Sequence, residues 1–141
     1  MPGISQTLTL IAKPESLSLA TEFLRNGARE ANLPELHMRQ LELMIEEILV
    51  NICRYSYPES APGTLVVTYS VLGLGEMEVE VADQGVAFDP LTADPPDLTL
   101  DLSRRPVGGL GIFLVKSFGR SLNYRRQLGW NRLSFGISAN P

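Results

Sequence analysis

The chain has 141 residues, 44% of them apolar, and a formal net charge of −4 with no long basic run. That is enough apolar material for one core and too little chain for a second independent domain, and an acidic balance offers no counter-charge to a phosphate backbone. A single cysteine, Cys53, excludes an intramolecular disulfide, and no apolar run approaches the ~18 residues that a membrane span needs.

The first ten residues lack the basic start and apolar centre of a signal peptide, so the expectation is a cytoplasmic protein with no membrane segment and no direct nucleic-acid contact. Residues 6–13 alternate, with Leu8, Leu10 and Ala12 on one side, and predict a strand ended by Pro14. Pro14 suits a first helical turn. Over 15–31 the apolar positions Leu17, Ala20, Phe23, Leu24 and Ala28 recur at three and four residues, which predicts an amphipathic helix closed by Asn32, Leu33 and Pro34. Pro34 starts a second helix expected to run to Tyr57, where Pro58 cannot continue it. His37, the only histidine, is expected on its surface.

This second helix carries two patterns. At about 100° per residue Leu41, Ile45, Ile48, Leu49 and Ile52 form an apolar face, while Glu47 and Asn51 lie one turn apart on another flank. The same spacing brings Arg54 and Tyr55 into line with them. One face builds a core and the other is free to build a site. Cys53 reads as packing.

Two strands follow. Leu65, Val67, Tyr69 and Val71 alternate in the first; Met77, Val79 and Val81 alternate with Glu76, Glu78 and Glu80 in the second, and residues 72–75 connect them as a hairpin. The glutamates mark a wet face, so the sheet is expected to be covered on one side only. Alternation then breaks at Asp83-Gln84-Gly85-Val86-Ala87-Phe88-Asp89-Pro90, and residues 91–107, rich in Pro and Asp, show only weak periodicity. A connection that long in a small domain is usually functional or disordered. Gly108-Gly109-Leu110-Gly111 opens a helix with Leu110, Phe113, Leu114 and Phe118 on its buried side, and Gly119 stops it. Residues 121–126 and 132–138 form a last hairpin around Leu128-Gly129-Trp130-Asn131, with Leu133, Phe135 and Ile137 inward. This order predicts an α/β (α+β) two-layer sandwich over 1–141, a mostly antiparallel mixed sheet with helices on one face.

Three separated segments each have a use for a nucleotide. The Asn51 carboxamide oxygen is a hard neutral donor suited to Mg²⁺. A carboxylate at a strand end, Asp83, can accept from the adenine amino group, and Gly85 lets a base approach the backbone. Gly109 and Gly111 at a helix start expose amide N–H groups to phosphates. Taken singly, each also reads as a tight turn or a solvated helix flank.

Taken together, Glu47-x-x-x-Asn51, then Asp83-x-Gly85, then Gly109-Leu110-Gly111 resemble the GHKL (Bergerat-fold) ATPase superfamily. The short chain, Phe88-Asp89-Pro90 after Asp83-x-Gly85, and Gly109-Leu110-Gly111-Ile112 look most like its anti-sigma-factor serine/threonine kinases. The resemblance covers nearly the whole chain. It implies ATP and Mg²⁺ as cofactors, Asn51 as the metal ligand, Glu47 as the catalytic base, Asp83 and Gly85 at adenine, and Gly109, Leu110 and Gly111 at the phosphates beneath a flexible lid at about 88–108. Arg104 and Arg105, near the lid's end, could by location alone neutralise the γ-phosphate, with solvated surface the favoured reading; Lys116 is similarly ambiguous. The implied partners are a small anti-anti-sigma protein of the STAS type, a sigma factor and, with exposed apolar residues near the first strand, a second copy of the chain. An ATP-binding partner-switching module without kinase activity is the alternative, and an interaction domain with no nucleotide is a third. The chain departs from the family pattern at Tyr55, where many relatives have histidine, at Ala87, in place of a glycine, and at Asn131, where threonine is frequent.

Overall fold

The computed structural model describes residues 4–58, 60–87 and 117–140. Within them are five strands and two long helices: β1 (Ile4–Ile11), α1 (Leu17–Glu30), α2 (Glu35–Asn51), β2 (Thr64–Gly73), β3 (Glu76–Asp83), β4 (Arg120–Gln127) and β5 (Trp130–Ser138). The strands form one sheet in the order β1-β2-β3-β5-β4. Where the sequence allowed for a mixed sheet, all four pairings among the described residues are antiparallel. Both helices cover one face, as expected.

The alternating side chains explain the layering. Leu65, Val67 and Tyr69 of β2, Met77, Val79 and Val81 of β3, and Leu133, Phe135 and Ile137 of β5 are all buried, and they meet Leu41, Met44, Ile45, Ile48 and Leu49 of α2 and Ala20, Leu24 and Ala28 of α1. Burying side chains of this size is worth about 1.5–3 kcal/mol each, which makes this the main source of stability. Gly27 brings α1 close to the sheet: a Cβ there would lie 2.7 Å from the Tyr69 ring. The opposite sheet face is polar, with Thr7 and Thr68 hydroxyls 3.2 Å apart and an Arg132–Glu80 ion pair at 2.8 Å.

Several boundaries differ from the sequence expectation. β1 ends at Ile11, and a 3-10 turn, Pro14–Ser16, precedes α1. Asn32 closes α1 in the left-handed region, φ 53°, and the Leu33 N–H reaches back to the Ala28 carbonyl at 2.9 Å. Leu72 and Gly73 belong to β2, so the β2–β3 turn is shorter than expected. The final connection is Leu128-Gly129 alone, at φ 50° and 82°, the left-handed pair that a two-residue hairpin requires. Trp130 and Asn131 are therefore strand residues. His37 is half-buried, and its Nδ1 has no partner among the described residues.

The largest difference is in the second helix. Its α-helical part stops at Asn51, and Ile52–Ser56 continue as a π turn. The wider winding departs from the 100° progression on which the helical reading of Arg54 and Tyr55 was based.

Candidate functional site: the end of α2 against the Asp83 turn

Glu47 and Asn51 occupy the last turn and a half of α2. Burial holds the Glu47 carboxyl above the usual carboxylate range, neighbouring Glu46 pushes it the same way, and Arg54 opposes both. Asn51 is buried, 8% exposed, and its Oδ1 has no hydrogen-bond partner among the described residues. A buried carbonyl oxygen without a donor is costly. The oxygen suits a hard cation, so the observed donor fits the expected metal. Among the described residues no group of three His, Cys, Asp or Glu side chains forms a metal cluster.

The π turn joins this helix to β3. It aims the Ser56 carbonyl at the Val86 N–H, 3.0 Å away. Gly85 packs so tightly on the same carbonyl that a Cβ would stand 2.1 Å from the oxygen, leaving room for glycine alone. Tyr57 makes a second tie: its hydroxyl donates to the Thr64 carbonyl at 2.7 Å and accepts from the Gln84 N–H at 2.6 Å. Burial raises the Tyr57 phenol, and Asp83 adds to the rise while the Gln84 bond and Arg126 oppose it.

Asp83 ends β3 in register between Leu65 and Asn131, and it is 4% exposed. Its Oδ1 accepts from the Gly85 N–H at 2.9 Å, which closes an Asx turn, and from Asn131 Nδ2 at 3.0 Å. Asn131 Nδ2 also donates to the Val86 carbonyl at 2.9 Å. On the edge strand, the Tyr124 hydroxyl lies 2.6 Å from Asn131 Oδ1, and Arg126 Nη1 donates to the Gly85 carbonyl at 2.7 Å. The α2 flank and the Asp83–Gly85 turn are thus bonded into one end of the molecule.

The family model of the histidine kinase-like ATPase domain matches residues 10–136. The chain belongs to the histidine kinase-like ATPase family. Curated relatives include the serine/threonine-protein kinase BtrW of Bordetella bronchiseptica, 32% identical over 101 residues that span 72% of this chain and 70% of the relative, and the serine-protein kinase RsbW of Listeria monocytogenes, 30% identical over 115 residues that span 79% and 73%. They are the branch to which the motif resemblance pointed. Among solved structures, the RsbU and RsbW domains of Rv1364c from Mycobacterium tuberculosis superpose with a TM-score of 0.66 at 15% identity, over 96% of this chain and 32% of that one. The Acinetobacter baumannii histidine kinase AdeS gives 0.52 at 14% identity, over 96% and 70%. Both share the fold of this histidine kinase-like ATPase domain.

Of the residues expected in the site, Glu47, Asn51, Asp83 and Gly85 gather on segments tied by hydrogen bonds. The others, Gly109, Leu110, Gly111, Arg104, Arg105 and Lys116, fall outside the described residues, as does the lid at 88–108. Sequence reasoning missed Ser56, Tyr57, Tyr124 and Arg126. For the last two a signal existed: Tyr124 and Arg126 alternate on β4 opposite Leu133 and Asn131, which places them on the helix-covered side. A separate cavity of about 590 Å³ lies between Leu49, Val50, Cys53 and Arg54 and the Ala12–Leu17 stretch; Asn51 and Asp83 are not among its lining residues. Burial there pushes the Cys53 thiol up, with Glu15 adding to the shift.

Proposed function

We propose that this chain is an ATP-dependent serine/threonine kinase that phosphorylates a small anti-anti-sigma protein of the STAS type and sequesters a sigma factor. The observation that carries this reading is the buried Oδ1 of Asn51, without a hydrogen-bond partner among the described residues, one helical turn beyond Glu47 on a helix end bonded to the Asp83 turn. The kinase names of the relatives support the same reading.

In this reading Asp83 accepts a hydrogen bond from adenine and Gly85 admits the ring, while Asn51 holds Mg²⁺ through Oδ1. When bound, Mg²⁺ supplies charge neutralisation at the phosphates. Gly109, Leu110 and Gly111 bind those phosphates, with Arg105 beside them. Glu47, whose carboxyl holds its proton more firmly than an exposed glutamate, is correspondingly the stronger base once ionised, and it takes the proton of the attacking serine or threonine hydroxyl. Phosphoryl transfer asks mainly for positioning, so one base of this kind suffices.

The test is incubation with γ-labelled ATP and a STAS-type protein. Label on a serine or threonine is expected, with Glu47→Ala abolishing transfer while sparing ATP binding and Asn51→Ala lowering Mg-dependent ATP affinity at least tenfold. ATP binding without label would leave the partner-switching module, and no heat with Mg-ATP would leave an interaction domain. A homodimer belongs to the same proposal: β1 is an edge of the sheet among the described residues, and its eight residues carry no charge.

A further inference from the structure

We propose that Asn131 and Tyr124, both on the terminal hairpin, are positioning residues that set which purine Asp83 accepts. This rests on the ATP reading above and deepens it.

The reasoning begins with how Asp83 is filled. Both of its protein donors, the Gly85 N–H and Asn131 Nδ2, fall on Oδ1, and Oδ2 takes no donor among the described residues. One oxygen anchors the group and the other is left as an acceptor. A carboxylate offers no proton, so that acceptor favours the 6-amino group of adenine and disfavours the 6-oxo group of guanine or hypoxanthine. Such discrimination needs the carboxylate plane fixed, because rotation about its last bond would point neither oxygen at the base edge.

Asn131 supplies that fixation. Its Nδ2 has two hydrogens, and two acceptors take them: Asp83 Oδ1 at 3.0 Å and the Val86 carbonyl at 2.9 Å. The amide orientation is forced, since turning it over would set Oδ1 against a carboxylate and a carbonyl, two acceptors. With Oδ1 pointing away, the Tyr124 hydroxyl at 2.6 Å is its donor. Each donor commits the next group, so the chain Tyr124 to Asn131 to Asp83 runs in one direction. Arg126 fixes the same turn independently through the Gly85 carbonyl.

A purely structural role, closing the end of the sheet, would weaken binding of every nucleotide equally. A positioning role changes the ratio between nucleotides. The experiment is calorimetric titration of the full chain with Mg-ATP and with Mg-inosine triphosphate, which replaces the 6-amino by a 6-oxo group, on wild type, Asn131→Leu and Tyr124→Phe, with a thermal melt of each. Wild type is expected to prefer ATP. In Tyr124→Phe the ATP-to-inosine-triphosphate affinity ratio is expected to fall about tenfold, the scale of one hydrogen bond to a charged network, and in Asn131→Leu at least as far. Tyr124→Phe decides the matter should Asn131→Leu fail to fold. A wild type that prefers ATP and a Tyr124→Phe ratio unchanged within twofold would overturn the inference while leaving the ATP site standing, whatever the melts do. A wild type that binds the two triphosphates equally would also overturn it, and one that binds neither would remove the ATP reading together with it.

Discussion

Glu47, the base in the proposed reaction, is a side chain whose charge the fold opposes. The folded environment disfavours its charge, chiefly through burial and then through Glu46. Its folded pKa lies above the unfolded value, so the native state binds more protons across that interval. Stability therefore falls as pH rises from the unfolded carboxylate pKa through the raised native one, and levels off above it. Glu47→Gln removes this titration. The expected result is that the variant gains in Tm relative to wild type as pH climbs through and just above the usual carboxylate range, with a constant difference at higher pH. A difference that does not vary with pH would mean that Glu47 ionises in the folded protein as it does in water.

At the scale of elements, the π turn Ile52–Ser56 and Tyr57 together fasten α2 to the sheet. The Tyr57 hydroxyl bridges the first residue of β2 and the residue after β3. Tyr57→Phe leaves the partly buried Thr64 carbonyl without its donor, while the Gln84 N–H, at an exposed position, can turn to water. Unfolding in urea should show a loss of about 1–2 kcal/mol, and an unchanged midpoint would show that the bridge contributes nothing. What the sequence disclosed of this region follows from periodicity: Leu41, Ile45, Ile48, Leu49 and Ile52 are all buried, as their spacing requires. Period-two alternation likewise placed β2, β3 and β5. The π winding was hidden because the turn ends on a bond between Ser56 and Val86, thirty residues apart, and no local pattern encodes that partner. Asn131 is a strand residue that the sequence places in a loop, for a related reason. Leu128 adopts a left-handed backbone that leucine rarely takes, so the sequence suggests a longer turn than the two residues that form it.

For the whole molecule, strand order decides which edges are open. β4 carries Arg120, Arg125 and Arg126, charges that discourage pairing, whereas β1 reads ISQTLTLI with none. If two copies join through β1, light scattering should give twice the chain mass, and the pair Thr7→Lys and Thr9→Lys should return it to one chain. A monomeric wild type, or a double variant that stays paired, would exclude this edge. The same order has β5, late in the chain, inserted between β3 and β4. Asp83 is held by Asn131, 48 residues downstream, and the Gly85 carbonyl by Arg126, 41 downstream. During synthesis, then, the carboxylate emerges from the ribosome well before the hairpin that aims it, and until that hairpin arrives the hydrophobic row Met77, Val79 and Val81 has an unzipped neighbour position. If Asp83 reads the base as proposed, competence to select a nucleotide reports that translation has passed this hairpin, and a nascent chain stalled short of it carries the carboxylate without the groups that fix it.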